Sequence, residues 1–204
     1  MNKSVAFRSC AVGMALALSL VGCSQGQPEQ ASQENAPAQT TQQDAGNATP
    51  SQQAVPQSWT EVKSVMDAAQ GAGIDGFGVP ENVSVGGAPF SNPQYAYGEG
   101  VAQVTYAQDY ASLIVRKADG SHASSVSDRN PSEFEHTWKQ NVSDVDVTCY
   151  GAFEGLATLV TWNDSGSEYG ITYREADGEE GGGMYEEDVE SLVDSVMRAN
   201  YTGA

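Results

Sequence analysis

Residues 24–57 set the first limit on what this chain can fold into. These 34 residues hold ten glutamines and four prolines, with no aromatic residue, no lysine and no arginine. Such a composition cannot bury enough apolar surface to offset the entropy lost on ordering a chain. The tract is expected to be a disordered tether, spanning roughly 30–35 Å on average as a flexible coil. A folded domain is therefore expected only over residues 58–204. That length suits one ordinary domain.

The residues ahead of the tract follow a different pattern. Lys3 and Arg8 precede an apolar run over 10–21, and no acid occurs in the first 22 residues. A basic start followed by a short apolar run is the pattern of a secretory signal peptide. The run falls short of the about 20 apolar residues that span a bilayer. It ends in Leu20-Val21-Gly22-Cys23, which resembles the bacterial lipobox, where the cysteine sulfur takes a diacylglyceryl group and cleavage falls just before it. The resemblance implies a bacterial lipoprotein with a signal peptide at 1–22 and a lipidated Cys23 opening the tether at 23–57. Two acyl chains make a stable anchor where one does not. The membrane is thus the expected partner through Cys23, with the domain exported and held at the membrane's outer face.

Cleavage also changes the cysteine and charge counts. Cys10 leaves with the signal and Cys23 is alkylated, so Cys149 remains as a single thiol with no intramolecular partner. In Val145-Asp146-Val147-Thr148-Cys149, the period of two places Val145, Val147 and Cys149 on one strand face, so Cys149 is expected to be a buried structural residue. Losing Lys3 and Arg8 takes the formal charge from −18 to −20. A field of that sign repels phosphate backbones, which excludes nucleic acid as a partner.

Within 58–204, Ser58-Trp59-Thr60-Glu61 has the form of a capping box, and Trp59, Val62, Met66 and Ala69 recur at helical spacing up to Gly71 and Gly73. The spacing predicts a helix over 59–70. Pro80 and Gly86-Gly87 predict an irregular stretch. Strands are predicted at 95–97, 101–106, 112–117, 136–140, 145–150, 157–162 and 168–173, separated by short turns such as Gly98-Glu99-Gly100 and Asn163-Asp164-Ser165-Gly166. Connections this short favour antiparallel pairing. Residues 120–131 lack apolar periodicity and are expected to form a loop. Val189, Leu192, Val193, Val196 and Met197 form an apolar helical stripe, with Glu186, Glu187 and Asp188 at the favourable N-terminal end. The expected architecture is α+β: a two-layer domain with a largely antiparallel sheet of six to seven strands, an N-terminal helix and a C-terminal helix.

Candidate chemistry is sparse. His122 lies in the polar segment Asp119-Gly120-Ser121-His122 and His136 opens a strand beside Trp138. No serine sits in a nucleophile-elbow setting near either. Zinc needs clustered histidine and cysteine ligands, which are missing from the sequence pattern. The acidic, glycine-rich stretch 177–183 offers oxygens for calcium without matching the order of an EF-hand loop. Tyr95, Tyr97, Tyr106, Tyr110, Tyr150, Trp162, Tyr169 and Tyr173 divide between core and a possible recognition surface, depending on which strand faces are helix-covered. No cofactor is expected, and no catalytic, metal-binding or ligand-binding residue is assigned.

The order of a helix, Ala-Gly-Ile-Asp-Gly-Phe-Gly-Val-Pro-Glu at 72–81, hairpins, and Gly183-Met184-Tyr185-Glu186-Glu187-Asp188 opening a terminal helix resembles domain of unknown function 4367. Such domains occur in lipoproteins and exported regions of Gram-positive proteins. The similarity covers most of 58–198 and carries structural motifs, with no catalytic signature. Tyr185 stands where such domains tend to place a serine or threonine cap. The expected function is that of a membrane-anchored, non-enzymatic domain binding an extracytoplasmic ligand or protein. The alternatives are a structural envelope component and a small exported enzyme with a carboxylate-based site.

Overall fold

Alternating side chains in the middle of the chain assemble one antiparallel sheet. The structure, a computed structural model, describes residues 56–176 and 181–202. The main sheet has eight strands: β1 (Thr60–Val62), β4 (Gln94–Gly98), β5 (Val101–Ala107), β6 (Ala111–Asp119), β7 (His136–Val142), β8 (Val145–Gly151), β9 (Leu159–Asp164) and β10 (Ser167–Glu175). Their order is β1-β4-β5-β6-β10-β9-β8-β7, with every pair antiparallel. A separate ribbon is formed by β2 (Val83–Val85) and β3 (Ala88–Phe90). The helices are α1 (Val65–Ala72) and α2 (Glu186–Thr202). The α+β class and the mostly antiparallel sheet agree with expectation. All seven expected strands are present as β4–β10.

The strand count and the N-terminal helix need correction. The helix expected over 59–70 is replaced by strand β1 followed by the eight-residue α1. Two Ser-x-x-acid tetrads compete six residues apart, and the second wins. Ser64, not Ser58, is the N-cap: its hydroxyl accepts from the Asp67 N–H at 3.1 Å and donates to the Asp67 carboxylate at 2.8 Å. Thr60–Val62 instead joins the sheet edge, pairing with Tyr95–Tyr97, a gain that local capping signals do not report. Met66, expected in the apolar stripe, is 76% exposed, while Ala68 and Ala69 are buried. The stretch expected to be irregular contains the β2–β3 hairpin. Gly86 and Gly87 both take positive φ, 58° and 76°, as a two-residue hairpin turn demands. The expected strand 157–162 begins at Leu159, because Ala157 pairs with Met184 instead.

The two sheet faces are unequal. On one face, Ala102, Val104 and Tyr106 of β5, Leu113 and Val115 of β6, Tyr169 and Ile171 of β10, Val160 and Trp162 of β9, and Val147 and Cys149 of β8 form the main core. Ala68 and Ala69 of α1, and Val189, Leu192, Val193, Val196 and Met197 of α2, join that cluster. The terminal helix stripe is thus buried as expected. No Ser or Thr caps α2. The Asp188 carboxylate does so from inside the helix, accepting the Tyr185 N–H at 3.1 Å and the Gly86 N–H of the hairpin at 2.9 Å.

The opposite, helix-free face is crossed by the chain itself. Strand β6 lies in the middle of the sheet and β7 at its edge, so the connection over 120–135 must pass across β10, β9 and β8. This strap, expected as a loop, carries 3-10 turns at Gly120–Val126 and Pro131–Glu133. Its Val126 joins Val101 and Ala118 in a second small core, with Trp59 against it.

Candidate functional site

Gly170 determines where the strap can lie. A Cβ at that position would stand 2.5 Å from the Val126 carbonyl oxygen, so only glycine admits the backbone so close to β10. Two residues beyond Val126, Asp128 meets two arginines. Arg116 of β6 is paired across the sheet with Gly170, and Arg174 of β10 lies four residues further along. The period of two puts both on the helix-free face. Arg174 Nη2 contacts Asp128 Oδ2, and Arg116 Nη1 lies 3.8 Å from Asp128 Oδ1. Arg116 also donates from Nε to Gln103 Oε1 at 2.8 Å, and its guanidinium stands 5.2 Å from the centre of the Trp59 ring.

This clasp leaves a buried donor unmet, although its carboxylate has acceptor capacity to spare. Arg116 is only 4% exposed, and its Nη1 has no hydrogen-bond partner among the described residues. On the strand beside it, Thr172 Oγ1 is likewise buried without a partner. An unsatisfied buried donor costs about 1–3 kcal/mol, more when charged. Burial, and then the nearby Arg174 charge, push the Arg116 guanidinium down to about 10, which leaves it charged at neutral pH. Sequence reasoning did not single out these residues. The available signal was Arg116-Lys117 itself, a basic pair inside the apolar run Leu113–Ala118 of a chain with only nine basic residues. Lys117 faces the other way: its ammonium donates to the Asp75 carbonyl at 2.7 Å and to the Gly76 carbonyl, above the Tyr169 ring.

His122 finds both a serine and an aspartate. Its Nδ1 lies 3.0 Å from Asp119 Oδ1 and 2.9 Å from Ser121 Oγ. A catalytic triad needs the carboxylate on one ring nitrogen and the serine on the other. Here both meet Nδ1, and Ser121 donates directly to Asp119. The group is a turn: Asp119 Oδ1 also accepts the Ser121 and His122 N–H groups at 2.8 and 3.1 Å and opens the strap. His136 is exposed at the start of β7, opposite Gly151, and takes no part in this group.

Cys149 is fully buried on the core face, its Sγ 3.8 Å from Gln140 Oε1. Burial, and secondarily the Glu186 charge, push its thiol up to about 12, so it stays protonated and a poor nucleophile at neutral pH. Of the aromatic residues, Tyr106, Trp162 and Tyr169 are buried on the core face, and Trp162 stacks on Tyr169 at 5.0 Å. Tyr95, Tyr97 and Tyr173 share that face half-buried. Only Tyr150 of the eight lies on a helix-free strand face, 5.9 Å from Phe134 of the strap. The aromatic residues therefore build core rather than an open recognition surface. Tyr110, in the β5–β6 turn, is 51% exposed and edge-on to Phe90.

Among the described residues, no three His, Cys, Asp or Glu side chains gather where they could hold a metal ion. Within the acidic stretch 177–183, residues 177–180 lie outside the described residues, as do Cys23, the expected signal sequence and the expected tether up to residue 55. Along α2, Glu187, Glu190, Asp194 and Arg198 line an open hollow of about 400 Å³ with Ser143 and Ser191. No helix among the described residues is long and apolar enough to cross a membrane. No family model, curated protein or solved structure matches this chain.

Proposed function

We propose that this chain is an extracytoplasmic lipoprotein whose α+β domain is a non-enzymatic module that binds a ligand or protein partner outside the membrane. Cys23 carries the lipid and residues 23–57 serve as the tether. The observation that carries the reading is Leu20-Val21-Gly22-Cys23, set directly after a basic start and an apolar run and directly before a glutamine- and proline-rich tract with no aromatic or basic residue. The resemblance to domain of unknown function 4367 belongs to the same reading and rests on the residues quoted for it. The strong negative charge directs the module away from nucleic acid and toward partners that tolerate an acidic surface.

Substituting Cys23→Ala tests the anchor in the intact protein. Metabolic labelling with radioactive palmitate is expected to disappear, and the protein is expected in the culture medium rather than the membrane fraction. Labelling that persists in the variant overturns the assignment of Cys23.

A further inference from the structure

We propose that Asp128 is the resident occupant of a carboxylate-binding site on the helix-free face, where Arg116 and Arg174, with Gln103 beside them, receive a carboxylate presented by the domain's partner. The inference rests on the binding role proposed above and narrows the partner to one with an exposed carboxylate.

Three observations carry it. The first is geometry. Two guanidiniums converge on one carboxylate, and Arg116 Nη1 is buried with no hydrogen bond while Asp128 Oδ1 stays 3.8 Å away. A guanidinium presents its donors as a planar fork that fits a carboxylate on two bonds, and Asp128 leaves that fork partly empty.

The second is charge. The chain has 27 acidic against 9 basic residues, yet two arginines meet here over a single acid. With Asp128 in place the cluster keeps a net positive charge, and with Asp128 withdrawn it holds two. An anionic group that the chain's net charge repels meets a local positive charge at this spot.

The third is a route for exchange. Asp128 sits in the turn between two 3-10 segments that hold themselves together. Ser127 Oγ accepts the Arg129 N–H and donates to the Arg129 carbonyl, each at 3.0 Å, and Asn130 Oδ1 accepts the Ser132 N–H at 3.0 Å. None of these bonds uses the Asp128 carboxylate. Its side chain can rotate away while both turns persist, and the exchange happens at the open side, where Arg174 is 45% and Asp128 23% exposed. A partner carboxylate competes with Asp128, so binding to the native chain is weakened by the fraction of sites that Asp128 fills.

The test is a titration of the full-length protein in detergent with sodium acetate, at constant ionic strength set by chloride, following the arginine side-chain N–H resonances by NMR. In Asp128→Asn, the Arg116 and Arg174 signals are expected to shift saturably, at acetate concentrations at least about tenfold below those the native protein needs. Adding Arg174→Gln to that variant is expected to abolish saturation. Shifts that never saturate in Asp128→Asn, or that survive Arg174→Gln, overturn the site, as does saturation by inorganic phosphate and not by acetate. Should Asp128→Asn lose its fold, Arg174→Gln alone decides. That side chain is half-exposed, and the weak saturable response of the native protein must vanish with it; an unchanged response overturns the proposal. A negative result here with palmitate labelling of Cys23 intact rejects the carboxylate site and leaves the lipid anchor standing.

Discussion

Arg116 and Lys117 are adjacent in β6 and meet opposite environments. Lys117 points into the core face, where burial lowers its affinity for a proton and the Asp164 and Asp75 charges raise it. Two backbone carbonyls accept hydrogen bonds from its ammonium. Arg116 points to the helix-free face and finds one distant carboxylate and one amide oxygen. Two residues beyond Lys117, Asp119 shows the opposite balance. Hydrogen bonds from Ser121 and then His122 hold its carboxyl at about 2, down from the ordinary 3.8. Because the folded value lies below the unfolded one, Asp119 stabilises the fold above about pH 3.8. That contribution is lost as the pH falls toward about 2. Urea denaturation at pH 5, 4, 3 and 2 should therefore show Asp119→Asn approaching the native protein's stability across that window. Curves that stay parallel from pH 4 to pH 2 contradict the assignment.

At the scale of elements, the start of α1 shows how local signals compete. Ser58-Trp59-Thr60-Glu61 and Ser64-Val65-Met66-Asp67 read alike as capping boxes, and only pairing with β4 chooses between them. Replacing Ser64 by alanine should cost about 1 kcal/mol in chemical denaturation, since it removes a working N-cap. Replacing Ser58 by alanine should change stability by less than about 0.5 kcal/mol, as for an ordinary surface site. Equal losses from the two would show that the cap has been misplaced. Elements with strong internal periodicity were legible beforehand: α2 from its apolar stripe, and β4–β10 from alternation between turns. The β2–β3 hairpin was legible in principle, because Gly86-Gly87 between two short apolar runs is a two-residue turn signal. Pro89 within the second run and three-residue strands hid it.

At the scale of the molecule, sheet order distributes protection. Strands β5, β6 and β10 lie inside the sheet, with core packing on one face and the strap on the other. Strands β1 and β7 form the two edges. Native-state hydrogen exchange should find the slowest amides in β5, β6 and β10, and much faster exchange in β1 and along the outer edge of β7. Amides of β7 as protected as those of β6 would contradict this order of coverage.

The same topology explains which parts of the candidate site were hidden. Asp119, Ser121 and His122 were visible as a group because they are neighbours in the chain. Arg116, Asp128 and Arg174 meet only because β10 pairs with β6 and the strap from β6 to β7 must cross β10 on its way. By itself the sequence determined the period of each well-patterned element, since that depends on near neighbours along the chain. The tertiary structure decided which Ser-x-x-acid tetrad starts a helix, which face each charged side chain takes, and which acid meets which arginine. Those choices follow from pairings between residues tens of positions apart, whose free energies no local pattern contains.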